Sequence, residues 1–210
     1  MKKIKITYSK NNSGILHFVQ DINFENKKFY LKQIESNSEL ELTFDKSHHL
    51  ILIPLLQKEE FILAINDNNL LKNNEAMILD SKVLKVSSNR KNTLLIATKK
   101  QLENSLDVNL KFIKRLFFVN VINKSIERGF HAHIKSNQVL YCISDGFEIS
   151  RIKNNQTDTK ILDSFDSVEI PSLTWVEIKN FKSNSAYLCF CDDKYDVNDY
   201  INSKSDFLKY

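Results

Sequence analysis

Glycine and proline are nearly missing from this chain, with three Gly and two Pro among 210 residues. No Gly- or Pro-rich linker therefore marks a domain boundary. Cysteine is equally scarce. Cys142, Cys189 and Cys191 are odd in number, sit in apolar runs and form no C-x-x-C, which speaks for buried, reduced thiols and against a disulfide framework. Long apolar runs are lacking too: the richest, Leu50–Leu56, falls far short of the ~20 residues of a membrane helix. No apolar h-region follows Met1-Lys2-Lys3-Ile4-Lys5, so the expectation is a cytoplasmic protein with no membrane partner. Charge of one sign is not concentrated either. The net +4 comes from 30 basic and 26 acidic residues interspersed along the chain, which argues against nucleic acid as a partner.

What is present is strand signal. Short runs rich in Ile, Val, Phe, Tyr and Leu alternate with Asn/Asp/Ser/Lys clusters at the spacing of sandwiches and barrels. The runs are Gly14–Gln20, Lys28–Gln33, Leu50–Leu56, Glu60–Ile65, Leu94–Thr98, Arg115–Val121, Gln138–Ile143, Phe147–Ile152, Ser167–Ile170 and Ala186–Cys191. Lys153-Asn154-Asn155 and Asn66-Asp67-Asn68-Asn69 read as turns, because Asn and Asp tolerate left-handed backbone. Helical signal is confined to Lys99–Leu106, a candidate connector, and to Val197–Leu208, which predicts a short terminal helix.

The chain also echoes itself. Lys28-Phe29-Tyr30-Leu31 matches Arg115-Leu116-Phe117-Phe118 at an offset of 87, and residues 60–69 match 146–155 at 86. Both halves then carry a polar turn before an apolar strand, at Lys91–Leu94 and Ser183–Ala186. A near-constant offset points to a duplicated domain. The expected organisation is two tandem β-barrels, residues 1–105 and 106–210.

Chemistry concentrates in the second half. His131 and His133 are separated by one residue, so on a strand both imidazoles enter the same space. Arg128 precedes them, Gln138 follows, and Gly129 lets the backbone turn tightly just before the pair. H-x-H in a small barrel is also a metal-site pattern. Here, however, Gln138 stands where a Glu ligand would come, and the segment after Pro171 offers Trp175 rather than a third His. An amide and an indole are poor ligands for a divalent ion, so no metal is expected.

Taken together, Arg128-Gly129-Phe130-His131-Ala132-His133, Gln138, Ile170-Pro171, Trp175-Val176-Glu177, Phe181 and Tyr195-Asp196-Val197-Asn198-Asp199-Tyr200-Ile201 resemble the dTDP-4-keto-6-deoxyglucose 3,4-ketoisomerases. The resemblance covers roughly residues 110–210. It implies an all-β fold of tandem cupin (RmlC-like jelly-roll) barrels with a short C-terminal helix, the first barrel a degenerate copy. It also implies a metal-independent isomerase of deoxysugar and surface-polysaccharide biosynthesis, with no cofactor. Its substrate would be a dTDP-linked nucleotide sugar, moved from the 4-keto to the 3-keto isomer through an enediol.

On this resemblance His131 and His133 are the catalytic acid/base pair. Arg128 would stabilise negative charge on the enolate or pyrophosphate, and Gln138 would orient a sugar hydroxyl or a histidine. Trp175 would wall the pocket, and Glu177, Arg115 and Tyr195 complete the expected substrate contacts. Asp199 and Tyr200 match the terminal motif, a pattern that helix-to-barrel docking explains as well as ligand contact.

Two departures from the family pattern stand out. Phe117 and Phe118 occupy a segment where relatives carry Tyr, and the second half has no D-x-R-G-x-L strand. A remnant of that strand lies in Asn11–Phe18, while the adjacent His48 and His49 would face opposite sides of their strand. Residues 13–20 are therefore expected to cross to the second barrel in an internal pseudo-dimer, the alternative being a homodimer. Two other functions stay open: an epimerase on a related keto sugar, and a non-catalytic nucleotide-sugar-binding module.

Overall fold

The computed structural model describes residues 2–11, 14–20, 22–55, 62–66, 69–72, 75–88, 91–100 and 102–210. Two compact units form, Met1–Thr7 with Phe24–Asp107, and Tyr8–Asn23 with Val108–Tyr210. Leu56, Glu60 and Phe61 of two expected strands lie outside the described residues. So do Asp67 and Asn68 of one expected turn, and Asn12 and Ser13 of the remnant strand.

The described strands of the first unit make one antiparallel sheet. Its order is Ser105–Leu106, Lys28–Ile34, Asn92–Thr98, Ser38–Leu55, Glu75–Ser88, Ile62–Ile65 and Asn69–Lys72, and Lys2–Lys5 also pairs with Glu75–Ser88. Asn92–Thr98 is buried at every position, as expected for a central strand of continuous apolar character. The expected helix at Lys99–Leu106 does not form. Its described residues are bends that lead into the Ser105–Leu106 strand, which pairs with Phe29 and Tyr30. The Tyr30 hydroxyl donates to the Lys100 carbonyl and accepts the Leu102 N–H, at 3.0 Å each, so a side chain takes backbone groups that a helix would pair internally. His49 binds Asp80 at the surface, and His48 packs against Phe44.

The second unit is a two-sheet sandwich. One sheet runs Ser167–Ile170, Gln138–Ser144, Ala186–Cys191, Arg115–Val121, Gly14–Gln20 and Thr7–Asn11; the other runs Gln156–Leu162, Phe147–Lys153, Trp175–Lys179, Arg128–His133 and Tyr200–Ile201. Gly14–Gln20 pairs antiparallel with Arg115–Val121, Phe18 opposite Phe117, so this early strand is part of the second unit. The inner faces meet in one core: Val119, Leu140, Tyr187 and Cys189 from the first sheet, Ile149, Val176 and Ile178 from the second. All three cysteines are buried free thiols, and burial pushes Cys142 up to about 12.

The all-β reading with a short terminal helix holds. Asp196 caps a single 3-10 turn, Val197–Asp199, and Ser203 caps the helix Lys204–Phe207. Among the described residues no helix is long and apolar enough to cross a membrane.

One irregularity positions the site. Arg128 pairs with Ile178, Gly129 with Glu177 and His131 with Val176, so Phe130 is an extra residue, a β-bulge. Gly129 has φ +84° and Phe130 φ +56°. Strict alternation would put Arg128 and His131 on opposite faces. The added residue restores parity, and Arg128, His131 and His133 then share one face with Val176 and Ile178 as partners. A Cβ on Gly129 would lie 2.5 Å from the Val176 carbonyl oxygen, against backbone that cannot yield cheaply. Gly129→Ala should therefore destabilise the second unit by about 2 kcal/mol or more, read as a lower urea midpoint. A midpoint unchanged from the parent would show that the bulge tolerates a side chain.

Candidate active site

The inner wall around the histidines is assembled from both sheets and the terminal motif. In the first sheet, Arg115 stands opposite Cys191, and Cys191 opposite Gln138. The second sheet supplies Arg128, His131 and His133, and the terminal motif brings Asp199 and Tyr200. The two imidazole centroids are 5.1 Å apart. Solvent reaches this wall at Phe18, Phe117, Arg128 and His131, each half-buried, whereas Arg115, His133, Gln138 and Asp199 are buried.

Partners fix both histidine tautomers. His131 Nδ1 lies 2.9 Å from the Gly129 carbonyl oxygen, an acceptor only, so Nδ1 carries the hydrogen and Nε2 keeps its lone pair. His133 Nδ1 lies 2.9 Å from Asp199 Oδ2, and its Nε2 accepts from Gln138 Nε2 at 3.0 Å. The second Asp199 oxygen, Oδ1, accepts the Lys135 N–H at 2.7 Å, so both oxygens of this buried carboxylate are engaged. Burial first, then the neighbouring His131, lowers His133 to about 4 against the opposing pull of Asp199. Burial also lowers His131, opposed by its bond to Gly129. Both rings are thus neutral near pH 7, each with an Nε2 lone pair.

Arg115 is among the largest fully buried side chains of the described residues. Its guanidinium carbon lies 5.9 Å from the Phe18 and Tyr195 ring centroids and 6.0 Å from that of Phe117, and the guanidinium interacts with the Tyr200 hydroxyl and Cys191. Its Nε and Nη2 have no hydrogen-bond partner among the described residues. A guanidinium without a carboxylate in so dry a place is suited to an anionic or hydroxyl oxygen of a ligand. Tyr195 is half-exposed, its ring 6.1 Å from Phe18 and 5.7 Å from Tyr200.

Two expected contacts lie elsewhere. Trp175 and Glu177 alternate with the inward-facing Val176 and so point to the outer face of their sheet. Trp175 packs there with Ala132, Ile201 and Phe207, and its indole N–H donates to Glu177 at 3.0 Å. Glu177 is tied to Lys204 and Lys179; Lys204, ahead of Lys179 and the indole, holds its carboxyl down at about 2. Neither side chain reaches the histidine wall. Conversely, Asp199 and Tyr200 touch the histidines directly, and the terminal motif was the available signal for them. Among the described residues no group of three or more His, Cys, Asp or Glu is arranged to hold a metal ion.

The depressed His133 value has a consequence for stability. Unfolded His133 takes up a proton near pH 6.5, while the folded ring resists until about 4, so protons favour the unfolded chain between these values. Stability should fall as pH drops from about 6.5 to about 4, with a contribution from this group on the order of 3 kcal/mol. Urea unfolding at pH 7 and pH 4.5 checks this: His133→Gln should flatten the dependence, and an equally steep fall in the variant would refute it.

The family model described as FdtA: WxcM-like, C-terminal matches residues 80–210. A TDP-4-oxo-6-deoxy-alpha-D-glucose-3,4-oxoisomerase of Aneurinibacillus thermoaerophilus is 32% identical over 104 residues, 49% of this chain and 75% of the relative. Among solved structures, the TDP-quinovose 3,4-ketoisomerase WlaRB of Campylobacter jejuni is 29% identical over 52% of this chain and 85% of its own, with a TM-score of 0.47. The sugar 3,4-ketoisomerase QdtA of Thermoanaerobacterium thermosaccharolyticum, in complex with TDP, is 20% identical over 76% and 92%, with a TM-score of 0.46. With its R-G-x-H-A-H strand and terminal motif inside the matched segment, the chain belongs to the FdtA family, WxcM-like, C-terminal.

Proposed function

We propose that the chain is an isomerase that converts a nucleotide-linked 4-keto-6-deoxy sugar, dTDP-linked by its likeness to TDP-sugar isomerases, to the 3-keto isomer. The observation that carries this reading is the histidine pair: two neutral imidazoles 5.1 Å apart, each with Nδ1–H committed to a fixed acceptor and Nε2 unprotonated, that of His133 accepting from Gln138. Moving a carbonyl between adjacent carbons needs a group that removes the proton from C3 and a group that returns one to C4. Removal gives an enediolate, the hydroxyl proton passes from the C3 oxygen to the C4 oxygen, and return of a proton at C4 leaves the carbonyl at C3. One imidazole of the pair removes the C3 proton and, as the imidazolium, returns a proton at C4, and Asp199 stabilises the imidazolium where it forms on His133. No cofactor is required by this chemistry.

The remaining contacts follow from charge and reach. Arg128, on the same wall as the histidines, serves negative charge on the enediolate or diphosphate, and Arg115 serves an oxygen of the sugar. Gln138 holds His133 in register and exchanges its donor to the substrate. Tyr195 offers a half-exposed ring for stacking. A nucleotide-sugar-binding module without catalysis would use the same contacts, and the half-buried Phe117, which brings no hydroxyl to the wall, is the observation in its favour.

NMR of dTDP-4-keto-6-deoxyglucose with the purified protein in deuterated water distinguishes these. The isomerase reading predicts a 3-keto product with deuterium incorporated, lost by about 10²-fold or more in His131→Asn and His133→Asn. Saturable binding without turnover or exchange would replace it with the binding module.

A further inference from the structure

We propose that Tyr200 is a third catalytic residue of this site, the acid that protonates the sugar carbonyl oxygen as the enediol forms and takes a proton back as the new carbonyl appears. The inference rests on the isomerase reading and adds a step to it.

Three observations place the phenol. Its ring lies 4.3 Å from the His133 centroid and 5.1 Å from that of His131, so Tyr200 is in contact with both bases at once. The strand Tyr200–Ile201 pairs with Ala132–His133, opposite His133 itself, so backbone hydrogen bonds lock that position. The positive charge of Arg115 acts on the hydroxyl, opposing the effect of burial. On the strand facing the histidines Phe117 brings no hydroxyl to the wall, and Tyr200 is the phenol in ring contact with the pair.

The charge logic is consistent with this. Burial keeps the phenol protonated, and the Arg115 charge stabilises the phenolate that appears when the proton leaves. The groups facing the hydroxyl are Arg115, Cys191 and Tyr195 from neighbouring segments, with His131 and His133 across the ring.

The step balances. An imidazole takes the C3 proton, the C3–H pair becomes the C3–C4 double bond, and the C4 carbonyl pair moves to oxygen, which takes the Tyr200 proton. The resulting enediol is neutral, beside an imidazolium and a phenolate. The phenolate then removes the C3 hydroxyl proton, the C3 carbonyl forms, and the double-bond pair takes the imidazolium proton at C4. Imidazole and phenol are both restored, with no external reagent.

Tyr200→Phe keeps the ring against both histidines and removes only the hydroxyl. In the full chain with dTDP-4-keto-6-deoxyglucose, kcat should fall about 10²-fold or more with KM changed little and the thermal midpoint retained. A second measurement does not depend on the substitution: replacing tyrosine with 3-fluorotyrosine throughout should move the alkaline limb of the kcat profile to lower pH. Turnover of the Tyr200→Phe protein within threefold of the parent, or an alkaline limb unmoved by fluorination, would overturn the Tyr200 assignment and leave the isomerase intact. A parent protein that binds the sugar but neither isomerises nor exchanges it would overturn both.

Discussion

The site depends on one added residue in one strand. At Gly129–Phe130 two successive left-handed residues expand the strand, and the added residue brings Arg128 onto the face that His131 and His133 occupy. The same bulge turns the Gly129 carbonyl toward His131 Nδ1 and so selects the tautomer that leaves Nε2 basic. Backbone irregularity, side-chain direction and protonation state are therefore a single feature. Its cost is positive φ at a phenylalanine, offset at the surface by the Lys179 ammonium 5.4 Å from the Phe130 ring centroid.

A second constraint is the docking of the C-terminal segment. Ile201 and Phe207 pack with Trp175 and Ala132 on the outer face of the histidine strand, and Lys204 reaches Glu177 there. That anchoring delivers Asp199 and Tyr200 to the inner side: the Asp199 carboxylate bonds His133, its carbonyl accepts the Ile134 N–H, and Tyr200 pairs beside them. Trp175 and Glu177 thus serve the histidines at one remove, by fixing the segment that carries their partners. The buried Arg115, by contrast, leaves two nitrogens without partners among the described residues, an arrangement that burial penalises and a ligand oxygen would relieve.

Much of this was legible in the residues, and the gaps have physical causes. Gly14–Gln20, Arg115–Val121, Ser167–Ile170 and Ala186–Cys191 were readable to the residue, because apolar β-formers end there against polar turns. Positive φ at Asn154 and Asn155 follows from their tolerance of left-handed backbone. The H-x-H pair was legible from alternation alone, but Arg128 was not, since alternation puts it on the wrong face and only a bulge corrects it. Trp175 against Val176 is a choice of strand face, set by pairing partners that composition does not reveal. Lys99–Leu106 has helical composition, yet a tertiary bond from Tyr30 prevails. Asp199 is 66 residues from His133, and no local pattern encodes that closure.

The central claim is that the fold holds both imidazoles neutral with Nδ1 protonated and Nε2 basic. Side-chain 15N NMR of the histidines at pH 7, assigned with the single His131→Asn and His133→Asn variants, tests it most directly. The account predicts a protonated, pyrrole-type Nδ1 and an unprotonated, imine-type Nε2 for both rings. A protonated Nε2 on either ring, or an imidazolium at that pH, would contradict it.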